Sequence, residues 1–127
     1  MNARTRVTSG SPYEQRYGFS RAVRVGDRVL VAGTAPIEPG GGCAPGAGDQ
    51  ATRCLEIIAA ALAEAGATCG HVVRTRMYVT DPADADAVGE AHRAFFGAAA
   101  PAATMVVVAA LLDPRWKVEI EAEALIA

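Results

Sequence analysis

Lys117-Val118-Glu119-Ile120-Glu121-Ala122-Glu123-Ala124 alternates apolar and charged residues without a break, a period of two that belongs to a strand. Successive side chains of a strand leave opposite faces of the sheet. Val118, Ile120, Ala122 and Ala124 therefore share an apolar face, and Lys117, Glu119, Glu121 and Glu123 share a charged one. The period predicts a strand from Trp116 to Leu125 in a sheet with one face covered. Before this strand, Asp113-Pro114 reads as a turn, and Met105 to Ala110 as an apolar strand buried on both faces. Asp84 to Phe96 carries Val88, Ala91, Phe95 and Phe96 at helical spacing, with Gly97 closing the run. Before it, residues 72–80 alternate again: Val73, Thr75, Met77 and Val79 on one face, and Val72, Arg74, Arg76 and Tyr78 on the other.

Residues 50–65 read as the other long helix, with Leu55, Ile58, Ala59 and Leu62 as its apolar stripe, Asp49 as its N-terminal cap and Gly66 as its stop. Gly33 to Gly48 holds three prolines and six glycines, so it is a loop. Phe19–Val25 and Val29–Ala32 form a hairpin about Gly26-Asp27. Residues 1–18 read as irregular. The order ββ-α-β-α-ββ describes an α+β fold, a mixed sheet of four or five strands with two helices packed on one face. The other face needs a partner, and a closed cyclic oligomer supplies one.

The 127 residues suit a single domain, 1–127, whose hydrophobic half is enough for an ordinary core. A net charge of -2 without a lysine or arginine run gives no footprint for nucleic acid. Cys43, Cys54 and Cys69 are odd in number and lack CxxC spacing, and Cys and His are scattered. No metal site and no disulfide framework is expected. His71 and His92 read as surface residues. With no apolar segment near the N-terminus and none of membrane-spanning length, the expected location is the cytoplasm and no membrane partner is expected.

Local sequence then meets a known pattern. Phe19 to Asp27, Ala32-Gly33-Thr34-Ala35-Pro36-Ile37, His71 to Asp81, Phe95-Phe96, Pro101 to Val108 and Val118 to Ala122 follow one another as blocks of the RidA/YjgF family do. The chain resembles that family over roughly residues 19–127, with His71 standing where an aspartate is common. The resemblance implies a fold like trimeric chorismate mutase, a homotrimer with a cleft between each pair of subunits, and no cofactor. It also implies that members with the full residue set hydrolyse reactive enamines and imines made from amino acids to ammonia and a 2-keto acid.

The family's site maps onto this chain with several polar groups missing. Its carboxylate-binding arginine corresponds to Ala103, a frequent cysteine to Met105, a pocket tyrosine to Phe19 and a helix asparagine to Gly89. Arg76 and Arg115 are not placed to substitute. Glu119 matches the glutamate thought to activate water, and stands here as the candidate catalytic residue. Phe19, Gly33, Thr34, Gly89, Ala103 and Met105 are candidate ligand contacts, with backbone N–H groups near Gly33 and Ala103–Met105 available to donate. The alternative for Glu119 is a charged strand face paired with Arg74 and Arg76. The N-terminal Tyr13, Glu14, Arg16 and Tyr17 are candidates to fold over the cleft. The resulting expectation is a divergent enamine/imine hydrolase acting on substrates other than the usual 2-imino acids. The alternative is a small-molecule binding module, and an endoribonuclease ranks last.

Overall fold

The computed structural model describes residues 3–127. Six strands form one sheet in the order β1-β2-β3-β6-β4-β5, from β1 (Arg4–Val7), β2 (Ala22–Val25), β3 (Arg28–Thr34), β4 (Val72–Val79), β5 (Ala102–Val107) and β6 (Val118–Leu125). All neighbours are antiparallel except β4 and β5, which run parallel and are joined by a helical crossover. Two helices, α2 (Ala47–Glu64) and α3 (Ala85–Phe96), pack together beside the sheet, and a short α1 (Pro12–Tyr17) precedes β2. No helix among the described residues is long and apolar enough to cross a membrane.

The alternation of β6 is realised as read. Val118, Ile120, Ala122 and Ala124 are buried, and β6 lies at the centre of the sheet between β3 and β4. Leu55, Ile58 and Leu62 of α2 meet that face, joined by Cys54; Ala59 is only half-buried. From α3, Val88 and Phe96 enter the same core, while Ala91 and Phe95 pack against it partly buried. Gly66 takes a left-handed φ of 86° just past α2, a conformation that costs other residues strain. Arg24 reaches back from β2 to donate to the last-turn carbonyl of Ala65 at 2.8 Å, where a cation also suits the helix dipole.

Several expectations are corrected. Residues 3–18 of the expected irregular segment 1–18 are not irregular, and residues 1–2 lie outside the described residues: β1 adds a sixth strand beside β2, and Ser11 caps α1. Pattern reading missed both because β1 shows only one buried residue, Val7, and α1 spans six residues, too few for a helical period. Gly46, not Asp49, is the N-cap of α2, and Asp49 stands in its first turn. The apolar run around Val106 is an edge strand with most side chains exposed, so it is not buried on both faces of this chain. Val73 does not share a face with Thr75, because the pairing with β6 slips between Val72 and Arg74 and leaves Val73 exposed. Gly97 stops α3 without a left-handed turn.

Candidate functional site

A cavity of about 610 Å³ opens between the N-terminal segment, the outer strip of α2, the β3 end and β6. Its position follows from a bulge. The β3–β6 register slips between Val31 and Thr34, and there the chain brings Gly33 beside Glu119. A side chain at position 33 would place its Cβ 2.5 Å from the Glu119 carboxylate, so glycine leaves that carboxylate its place. The start of β6 is itself tied down from α2: the buried Gln50 accepts from the Lys117 N–H at 2.7 Å and donates to the Arg115 carbonyl at 2.9 Å.

Glu119 stands apart from the charged strand face. Arg76 approaches Glu121 and Glu123 at 3.9 and 3.7 Å, Tyr78 donates to Glu121, and Arg74 donates to Thr104. None of these groups takes up Glu119, whose carboxylate has no ion pair or hydrogen bond among the described residues. Burial pushes its pKa above the ordinary glutamate value of 4.5; the Arg21 guanidinium opposes the shift and Glu121 adds to it.

Arg21, just before β2, is buried among the groups it organises. Its Nη1 donates to the Gly33 carbonyl at 3.1 Å and to Thr34 Oγ1 at 2.9 Å, and its Nε lies 3.7 Å from the buried carboxylate of Glu14. Burial lowers the Arg21 pKa, and the charges of Glu14 and Glu119 hold it up. Glu14 is held in turn by the backbone N–H and hydroxyl of Ser9. The segment before β2 is thereby clamped over the cavity, and it brings Tyr13 and Tyr17 with it. Tyr13 stacks on Tyr17 at 6.0 Å and meets Trp116 edge-on at 6.3 Å.

Of the sequence candidates, Phe19, Gly33 and Glu119 line this cavity. Thr34 lies just beneath it, fully buried, its hydroxyl spent on Arg21 and on the Ala32 carbonyl. Gly89 lies on α3, with open space where a side chain would stand, and Ala103 and Met105 lie on the β5 edge. Within one chain these three do not line the cavity. Sequence reading missed Arg21 and the clamping role of Glu14. The pairing spans seven residues with neither strand nor helix periodicity between them, and no local motif announces it. The expected surface residue His92 is half-buried, its Nε2 2.8 Å from Thr75 Oγ1, and burial lowers its pKa. No group of three or more metal-binding side chains occurs among the described residues.

Comparison with known proteins identifies the family and the fold. The family model for endoribonuclease L-PSP matches residues 11–126. An uncharacterized protein of Streptomyces coelicolor is 42% identical over 94% of this chain and 90% of its own length. The 2-iminobutanoate/2-iminopropanoate deaminase of Salmonella typhimurium is 35% identical over 84% of this chain and 85% of its own. The crystal structure of Rv2704 from Mycobacterium tuberculosis, of the YjgF/YER057c/UK114 family, superposes with a TM-score of 0.90 at 46% identity, covering 98% of this chain and 100% of that one. With the family model spanning nearly the whole chain and relatives of this similarity, the chain belongs to the endoribonuclease L-PSP family, the RidA/YjgF family of the sequence resemblance.

Proposed function

We propose that the protein is a cofactor-free enamine/imine hydrolase whose substrates lack the α-carboxylate of 2-imino acids, with Glu119 as its acid–base residue. The observation that carries this reading is the Glu119 carboxylate: half-buried, left out of the neighbouring ion pairs, and facing a cavity. Similarity to the deaminase of Salmonella typhimurium supports the reaction class.

The chemistry balances with one carboxylate. Water adds to the carbon of a protonated C=N bond, the π pair moves to nitrogen, and Glu119 takes the proton that water sheds. Glu119 then delivers that proton to nitrogen and takes the hydroxyl proton as the carbonyl forms and the C–N bond breaks; ammonia leaves and carries that proton away as ammonium, which returns Glu119 to its ionised form. A carboxylate whose pKa has been raised toward neutrality serves both halves of this exchange better than an ordinary one. Because the base form starts the reaction, kcat/KM rises with pH through the Glu119 pKa, and the acid limb falls above 4.5.

The restriction to substrates without the carboxylate rests on the two guanidiniums of the cavity, both already engaged. Arg21 serves Gly33, Thr34 and Glu14, and Arg53 serves the Ile37 carbonyl, Glu38 and Glu56. A substrate carboxylate desolvated there would lack a partner, at a cost of several kcal/mol. Ammonia release from imines generated in situ, with and without an α-carboxylate, tests the proposal. Faster turnover of the carboxylate-free set is expected, and equal or faster turnover of 2-imino acids overturns the restriction.

We also propose that the protein is a homotrimer. The exposed apolar side chains Leu30, Val106 and Val107 and the uncovered β5 edge, with Ala103 and Met105 on it, support burial against a second copy. Static light scattering should give three chains per particle at micromolar concentration, and a monomer would remove this part of the reading. A binding module without turnover is the second reading. The same cavity and its aromatic wall favour it if ammonia release stays at the uncatalysed rate.

A further inference from the structure

We infer that the cavity selects a cationic ligand, an organic ammonium or iminium ion with an apolar substituent. The inference deepens the proposed function by naming its substrate class, and it rests on the same cavity. Three observations carry it.

The charge of the walls is the first. Glu38, Glu56, Glu64 and Glu119 face the cavity against only two guanidiniums, Arg21 and Arg53. Arg53 lies 3.9 and 3.5 Å from Glu38 and Glu56 and is balanced by them. Arg21 is balanced by Glu14 behind the wall. Glu64 and Glu119 are left without an ion pair among the described residues, so the vacant space is negative.

The second is the aromatic half of the cavity. Tyr13, Tyr17 and Trp116 meet in one stacked and one edge-on contact, and the negative faces of such rings attract cations. Two rings of this wall already hold guanidiniums of the chain, Arg16 over Tyr17 at 5.4 Å and Arg21 over Phe19 at 5.7 Å. Tyr13 and Trp116 hold none among the described residues. Core packing does not account for Tyr17 and Phe19, which are 58% and 39% exposed, whereas Trp116 is buried at 6%.

The third is the chemistry of the proposed reaction. Water attacks the protonated imine, which is a cation, and the intermediate amine is protonated before it leaves. A negative, ring-lined cavity concentrates that form and discriminates against an anion of the same size.

Benzylammonium, benzyl alcohol and benzoate, which share one ring and differ in charge, are titrated against the intact protein at pH 7. Binding is read by calorimetry and by the emission of Trp116, the chain's single tryptophan. Benzylammonium should bind about tenfold more tightly than benzyl alcohol, as one cation–π contact and one carboxylate allow, and benzoate more weakly than either. Glu64→Gln and Glu119→Gln should each weaken benzylammonium several-fold and leave benzyl alcohol unchanged. Benzoate binding as tightly as benzylammonium, or benzylammonium failing to saturate, overturns the inference. Selective benzylammonium binding without imine turnover keeps the ligand class and removes the hydrolase. Imine turnover with a preference for benzoate keeps the hydrolase and removes the ligand class.

Discussion

Glu119→Gln is expected to lower turnover of a carboxylate-free imine by roughly 10²–10⁴-fold, the ordinary contribution of a positioned acid–base group, and to make the protein more stable at pH 7. The two effects have one origin. Burial raises the Glu119 pKa, so the folded protein binds the proton more tightly than the unfolded chain does. The associated stability is fully present below the unfolded pKa and is lost as pH rises through the folded one. At neutral pH the ionised carboxylate therefore works against folding, and a neutral amide of the same shape relieves it. Melting temperatures of wild type and variant should diverge at pH 7 and converge below about pH 4.5. A companion variant separates position from charge. Gly33→Ala pushes a Cβ against the flexible end of Glu119, which can swing aside at little cost in stability but no longer reaches the same point. It should lose most of the turnover while keeping the melting temperature within a few degrees. Glu119→Gln with unchanged turnover and lower stability would show the residue to be an ordinary member of the charged strand face.

How much of this was legible in the sequence divides by the range of the interaction. Strict alternation from Val118 to Ala124 identified a half-covered strand, and the helices with Leu55, Ile58 and Leu62 followed from spacing alone, because burial on one face imposes a period. The same rule misled at Met105 to Ala110. An apolar run has no period to say whether a strand is central or at an edge. Glu119 was legible as a candidate, and so were Gly33 and Phe19. What singles Glu119 out, the choice of Glu121 and Glu123 by Arg76, depends on pairing across strands that are more than forty residues apart. The Arg21–Glu14 clamp left no pattern at all, and the short helix carrying Glu14 is held in place by that clamp and by its cap rather than by an apolar stripe.

Arg21→Met should destabilise the fold by about 3–5 kcal/mol, the range for breaking one side of a buried ion pair. For a domain of this length that is a fall of roughly 10–20 °C in melting temperature. An exposed pair at 3.7 Å would be worth about 0–1 kcal/mol. Burial decides between the two magnitudes, since Arg21 is 7% and Glu14 5% exposed. Removing the guanidinium strands the Glu14 carboxylate with only the Ser9 donors, and it unpairs the Gly33 carbonyl next to the site. The loss should therefore depend on Glu14. Replacing both residues together, Arg21→Met with Glu14→Leu, removes the orphaned charge and should cost clearly less than the sum of the single changes. Urea denaturation at one fixed protein concentration measures all three variants without confusing stability with assembly. A single-variant loss below 1 kcal/mol, or strict additivity, would show the pair to be solvated and the clamp unimportant. Weakening the clamp also releases β1 and α1, and with them Tyr13 and Tyr17. Arg21→Met should for that reason lose benzylammonium binding even where the sheet stays folded.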